Sequence, residues 1–460
     1  MTLQVELHCF PGNRDTVWFR LPDKINWSQD LWRCYTDLDA DGDHPHLLRV
    51  DSLRVAILCT PGDSSLVFRY RLRQFPPGGQ VTRALSLSPV LQPTYLHVPG
   101  ACLFLLPRHY RAFEVEVEWR NLPSGWQIQS NLASGEPVQR ITSRAADWRD
   151  GIWVAGDFRI LRGEVFGRPV FFAIRGTWAF DDASLFDAVL RTIQTQRDQW
   201  DDRDIPYFSV TMIPSVNAAA TAADDREREI FGYGKHQSFA VYAGRLCTMT
   251  RLLRLFNHEM MHYWIGGKIR DCPPGRGDAL NWFAEGFTDY YALRNRWKAG
   301  FITEADFFLE WNDRFVSIHY ADSLADLPEA ELRARRYTDD RAFKVPYRRG
   351  AILAFYLDCA IRVRSGNDHT LHDFMLDLMT YTHGTGRNLY EQFGFFTETL
   401  SRYLGEDCTG FIRLHATEGV RIPASAFRLP DFLLQETDTA GAPQFSLNPD
   451  DLLAKAKFLK

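Results

Sequence analysis

The chain has 460 residues, 53 of them Lys or Arg and 58 Asp or Glu, for a formal net charge of −5. At that length one ordinary core does not suffice, and two to four domains are expected, each large enough to bury its own interior. With 45% hydrophobic, 24% charged and 14% aromatic residues the composition is globular and excludes extensive disorder. No long Lys/Arg run interrupts the charge balance, so the electrostatic footprint of a nucleic-acid partner is missing.

The opening Met1 to Phe10 has neither a basic region nor a long apolar region, so the expectation is a cytoplasmic chain or one whose leader has been trimmed. Apolar runs such as Ala101 to Leu106 fall far short of the roughly 20 residues that cross a bilayer, so no membrane span is expected. The 8 cysteines are scattered without a CxxC pair, which reads as free thiols under reducing conditions.

Up to about Phe180 short alternating runs, such as Ser65 to Arg73 and Phe113 to Trp119, are broken by Pro-Gly, Pro-Pro-Gly-Gly and Pro-Ser-Gly turns. Residues 1–180 therefore read as an all-β, sandwich-like domain. From Ala183 to Trp200 the apolar period becomes helical, and a strand from Tyr207 to Ile213 follows, so a mixed α/β domain is expected over residues 181–300. Asn217 to Arg228 reads as a loop, and Ser238 to Ala243 as an edge strand facing a cleft, able to hold an extended peptide by main-chain pairing. Residues 301–435 read as an α-helical lobe with helices at Ala305 to His319, Pro346 to Val363 and Leu371 to Met379. Residues 436–460 read as a tail that packs loosely or wraps back. The fold class expected is multidomain α+β.

Arg251 to Ile265 reads as a buried helix, opened by Thr248 or Thr250 and closed by Gly266-Gly267. His258 and His262 are four residues apart, which sets both imidazoles on one face about one turn from each other, as a shared ion requires. Glu259 follows the first of them and projects beside the ion, where it can act as general base on water. This is the HExxH pattern. A catalytic zinc needs a third protein ligand and an open position. The next helix, Asn281 to Arg296, supplies Glu285 for the third position. Asn281, Glu285 and Asp289 share a face at spacing four, and Asp289 is placed to accept the outer N–H of a ligand histidine. Satisfied core histidines are the alternative, but two imidazoles and two carboxylates within apolar helices are costly to bury without an ion. One zinc ion per chain is expected.

At these residues the sequence resembles the gluzincin metallopeptidases, above all the glycyl aminopeptidase family and, more distantly, the alanyl aminopeptidase and leukotriene hydrolase family. The resemblance rests on His258 to His262 and on Trp282-Phe283-Ala284-Glu285-Gly286-Phe287-Thr288-Asp289-Tyr290-Tyr291. It spans about Leu3 to Leu434 and is sharp from Phe256 to Arg364. It implies a β-rich N-terminal domain, a thermolysin-like catalytic domain and a helical lobe that completes the site. The run Val345-Pro346-Tyr347-Arg348-Arg349-Gly350 resembles the helix start that carries the family's transition-state tyrosine, so Tyr347 is implied as oxyanion donor, with Pro346 in the first turn.

One segment departs from the pattern. Where these aminopeptidases carry a glutamate for the substrate's free α-amine, this chain has Gly232-Tyr233-Gly234-Lys235-His236-Gln237-Ser238, with Lys235 in the acid's place. A cation there repels an ammonium group. Gly234, Lys235 and His236 are thus candidate substrate-binding residues of altered specificity, and a solvated lysine on an edge strand is the bland alternative. The spacer containing Cys272-Pro273-Pro274-Gly275-Arg276-Gly277 is longer than in alanyl aminopeptidases and favours the glycyl branch, although no counterpart of the C-terminal PDZ domain usual there is expected among these residues. The function expected is hydrolysis of peptide or protein substrates by metal-activated water. A non-catalytic zinc-bearing scaffold and a zinc hydrolase of a non-peptide substrate stay open as alternatives.

Overall fold

A computed structural model describes residues 1–42, 45–78, 80–132, 135–273 and 279–460. Gly79 of the Pro-Pro-Gly-Gly turn and residues 274–278 of the spacer lie outside the described residues. The fold is mixed α+β, with sheets through the N-terminal part and helices towards the C-terminus. Two compact units form: Met1–Leu190 with Arg203–Leu252, and Arg191–Asp202 with Leu253–Lys460. Among the described residues no helix is long and apolar enough to cross a membrane.

The first part of the first unit is built on antiparallel pairing. Leu66–Arg73 runs between Thr2–Cys9 and Tyr35–Gly42, and its alternation sends Leu66, Phe68, Tyr70 and Leu72 inward. The buried phenols of Tyr35 and Tyr70 donate to the carbonyls of Cys102 and Leu103, each at 2.7 Å, so neither hydroxyl is left unsatisfied in the core. A four-stranded sheet runs Gln127–Ser130, Ile152–Gly156, Tyr95–Pro99, Val90–Gln92.

A five-stranded mixed sheet follows, in the order Arg159–Val165, Arg168–Ile174, Phe208–Pro214, Ser238–Ala243, Ile230–Lys235. Ser238–Ala243 pairs parallel with Phe208–Pro214 and antiparallel with Ile230–Lys235, so it is an inner strand and not the edge strand expected. All six of its residues are buried, the signature of a strand covered on both faces, and its main chain is not open to a peptide. The edge belongs to Ile230–Lys235.

In the second unit the tightest crossing is between the 26-residue helix Asp340–Ser365 and the segment Trp282–Phe287, which is wound as a π-helix. A Cβ on Gly350 would stand 1.6 Å from the Trp282 carbonyl oxygen, and one on Gly286 would stand 2.4 Å from the Gly350 Cα. Only two glycines permit this approach, and one follows Glu285 directly while the other lies three residues past Tyr347.

The long helix starts earlier than Pro346. The Asp339 carboxylate caps it, accepting from the Arg341 and Ala342 amides at 2.8 and 3.3 Å, so Pro346 sits in the helix interior and the first-turn expectation is corrected. The cost is one amide that Pro346 cannot donate to Ala342.

The last residues wrap back within this unit. Strands Leu433–Thr437 and Pro443–Leu447 pair, and the helix Ala454–Leu459 buries Phe458. Arg294 and Arg362 donate to the Phe458 and Lys457 carbonyls at 2.5 and 2.8 Å, while both guanidiniums pair with the buried Asp358 carboxylate at 3.4 and 3.1 Å.

Candidate metal centre

The helix that carries His258 runs Met249–Met261, short of the expected end at Ile265, so that His262 stands in the turn just after it; the Arg251 amide reaches the Thr248 hydroxyl at 3.4 Å at its start. It unwinds at His262, and the chain turns through Gly266 at φ 95°. Its rear face is fixed by polar contacts that the sequence reading did not single out. Asn257, fully buried, accepts from the Asn295 amide at 2.6 Å, and its own backbone carbonyl accepts from Gln196 at 2.8 Å. Trp264 stacks on Trp200 and donates to Asp202 at 3.0 Å. A polar Asn257 beside His258 in an otherwise apolar run was the available signal.

These supports aim three side chains at one point. His258 Nδ1 stands 2.8 Å from Asp289 Oδ1, and His262 Nδ1 stands 3.2 Å from the Ile265 carbonyl oxygen, so each imidazole donates outward. Both Nε2 atoms are then lone-pair acceptors, yet they lie 3.1 Å apart, with Glu285 Oε2 3.2 Å from one and 3.4 Å from the other. Three acceptors at van der Waals distance repel one another unless a proton or a metal cation stands among them. Ligands at tetrahedral bonds of roughly 2.0–2.1 Å are separated by about 3.3 Å, the spacing of these atoms. His258, His262 and Glu285 could therefore hold a zinc ion, and among the described residues this cluster offers three donors, not four.

Electrostatics agree with the geometry. Burial opposes a charge on His258, but Asp289, Glu285 and Glu259 outweigh it and push the imidazole up to about 10. Burial likewise opposes, and Glu285 overcomes, the rise at His262. Glu285 is held well below the carboxylate range despite its burial, because both imidazoles favour its charge. The pocket attracts positive charge from every side.

Glu259 is 7% exposed and follows His258 on the helix, and its charge acts on both imidazoles and on Tyr347. The Tyr347 ring lies parallel to His258 with centroids 6.0 Å apart. Burial, then the nearby Glu285 carboxylate, raises the Tyr347 phenol well above its usual value and keeps it a proton donor. Asn281 is buried directly ahead of the π-helix; the bonds that orient the histidines come from Asp289 and the Ile265 carbonyl instead.

The π-winding of Trp282–Phe287 was not legible from spacing. It widens the turn that presents Glu285 before the α-helix Thr288–Lys298 presents Asp289. Gly234, Lys235 and His236 belong to the first unit. Gly234 pairs with Phe239 in the edge strand, Lys235 Nζ donates to Asp150 Oδ1 at 3.1 Å, the His236 amide donates to Asp150 Oδ2 at 2.8 Å, and the His236 ring lies 3.7 Å from Asp147.

Residues 251–331 match the M61 glycyl aminopeptidase family. No curated protein sequence matches the chain. An aminopeptidase N family protein from Idiomarina loihiensis shares 16% identity with a TM-score of 0.74, over 95% of this chain and 77% of that one. An M1 zinc metallopeptidase from Deinococcus radiodurans shares 12% identity with a TM-score of 0.52, over 93% of this chain and 92% of that one. At these identities the likeness concerns the fold. The chain thus resembles the gluzincin aminopeptidases, with a metallopeptidase signature of the M61 glycyl aminopeptidase type on a fold shared with M1 metallopeptidases.

Proposed function

We propose that the chain is a zinc-dependent metallopeptidase that hydrolyses peptide bonds, with an aminopeptidase-like site whose recognition of the substrate N-terminus is altered. One observation carries the reading: two imidazole Nε2 atoms and Glu285 Oε2 converge within 3.4 Å, with both Nδ1 protons committed elsewhere. A zinc ion there supplies Lewis acidity, making water nucleophilic near neutral pH and polarising a carbonyl. His258, His262 and Glu285 would hold it, and Asp289 keeps His258 in the tautomer that presents Nε2. The Glu259 carboxylate takes the proton from the attacking water and returns it to the leaving amine nitrogen. The Tyr347 hydroxyl donates a hydrogen bond to the carbonyl oxygen as it gains charge. These residues fall in the 181–300 segment read as thermolysin-like, with Tyr347 contributed by the 301–435 segment. A set of three protein donors favours catalysis over a structural zinc, which closes all four positions with protein.

The test uses the full chain, stripped by a chelator and reloaded with zinc, against peptides with free and acetylated N-termini. Hydrolysis is expected after reloading alone, and not from Glu259→Gln protein that binds the same zinc. Activity in the stripped protein, or parental activity in Glu259→Gln, overturns the proposal. Equal hydrolysis of free and acetylated peptides removes its aminopeptidase part.

A further inference from the structure

The first unit contains a cleft of about 660 Å³ that the proposed hydrolysis does not use. Its size is that of a small-molecule site. Its floor is apolar, formed by Leu21, Leu105, Leu106 and the Phe104 ring, which packs at 5.0 Å against Trp148 and 5.2 Å against Trp153. Its rim is cationic. Arg20, Lys24, Arg108, Arg111 and Arg149 line it against one carboxylate, Asp23.

Such an excess is not a property of the whole surface, because the chain carries a net charge of −5. Other arginines of this unit have an acid at hand, as Arg144 has Asp147 at 2.6 Å and Arg175 has Asp157 at 2.6 Å. Among the described residues the guanidiniums of Arg20, Arg108, Arg111 and Arg149 have no carboxylate partner. Arg149 suffers for this: burial, and then the charge of Arg111, lower its pKa. Two like charges held together without a counter-ion are destabilising, and an anion between them relieves the repulsion.

The count of guanidiniums points to the kind of anion. A lone carboxylate occupies one planar fork, whereas a phosphate presents oxygens to several. The apolar floor adds a demand for a body that covers Phe104 and the leucines. We propose that this cleft binds a soluble organic phosphate, its phosphate group held by the arginines and its apolar or aromatic body laid over the Phe104 floor.

Calorimetric titration of the full chain with 1-naphthyl phosphate, inorganic phosphate, 1-naphthol and vesicles containing phosphatidic acid tests this. The naphthyl ester is expected to bind at least about tenfold more tightly than inorganic phosphate or the naphthol, with an affinity that falls as salt is raised. Arg111→Gln with Arg149→Gln is expected to weaken it by about tenfold or more at a melting temperature no lower than the parent's and unchanged peptide hydrolysis, and the paired Lys variants to recover part of the loss. If that pair fails to fold, Arg20→Gln with Arg108→Gln carries the same expectation. No binding of the ester, or equal affinity in the Gln variants, overturns the proposal. Binding of vesicles alone overturns it as well, because the ligand is then a lipid headgroup at a membrane surface.

Discussion

The two units concentrate charge in opposite senses and at different depths. In the second, Glu259, Glu285 and Asp289 converge on two imidazoles below the surface, and every proton of the set is committed. In the first, arginines stand around an apolar floor with a single acid, Asp23, among them. A buried cluster has to be satisfied by partners at fixed offsets on the same or the next helix, so its residues carry a spacing. An exposed one answers to a ligand, so its residues carry none.

Breaking the buried cluster at the proton-transfer group has the largest expected effect. Glu259→Gln keeps the shape and removes the base, and the hydrolysis rate is expected to drop by about a hundred- to ten-thousandfold with zinc content unchanged by metal analysis. Tyr347→Phe leaves the ring parallel to His258 and removes the donor; a loss of about a hundred- to a thousandfold in kcat with little change in KM is expected. A rise in KM at constant kcat would make Tyr347 a packing residue instead. Asp289→Asn tests the link behind the metal ligand. It weakens the 2.8 Å partner of His258, and zinc affinity is expected to fall by roughly ten- to a hundredfold, read by competition with a chelating dye.

In the first unit His97 is buried with Nε2 3.1 Å from the Thr211 hydroxyl, and burial pulls its pKa down to about 3. In the unfolded chain the same imidazole titrates near about 6.5. Between those values the unfolded state holds a proton that the folded state refuses, so stability falls as pH drops from about 6.5 towards 3, by roughly 1.4 kcal/mol per pH unit. Above that window the group contributes no slope. His319 and His372 in the second unit, held to about 3 and about 4 by burial, act in the same sense. Melting temperatures measured from pH 7 to pH 5 should decline, and His97→Gln should shallow the decline by about one proton. An identical slope in that variant would mean that His97 accepts its proton in the folded state.

The same contrast explains what the sequence disclosed. His258, His262, Glu285 and Asp289 were legible because each pair is spaced four residues apart, a spacing that survives although the first helix ends at Met261 and Glu285 stands in a π-helical turn. The β-rich start and helical end were legible from their periods, and Leu66–Arg73 and Asp182–Gln199 fall within a residue or so of where the apolar pattern put them. Pairing partners were not legible. Ser238–Ala243 read as an edge strand because nothing local says that Ile230–Lys235 lies outside it. The π-turn at Glu285 escaped for a like reason, since it lies against the Gly286–Gly350 crossing, whereas the early start at Asp339 comes from a local carboxylate cap that Pro346, a usual first-turn residue, masked. The cationic cleft escaped altogether, its arginines being scattered from Arg20 to Arg149.

Lys235 lies between these cases and carries the smallest expected effect. The sequence placed it where related aminopeptidases carry an acid, and in the structure its ammonium meets Asp150 at 3.1 Å, with Asp150 about half exposed. A pair of that exposure contributes little, so Lys235→Met is expected to change stability by less than about 1 kcal/mol in chemical denaturation. The informative readout is discrimination between peptides with free and acetylated N-termini. If the ammonium bears on the substrate's amine, removing it should shift that ratio towards free N-termini by up to about tenfold, because a repulsion is withdrawn and no attraction added. A ratio that does not move assigns Lys235 to its salt bridge with Asp150 alone, and N-terminal recognition then has to be sought on another residue.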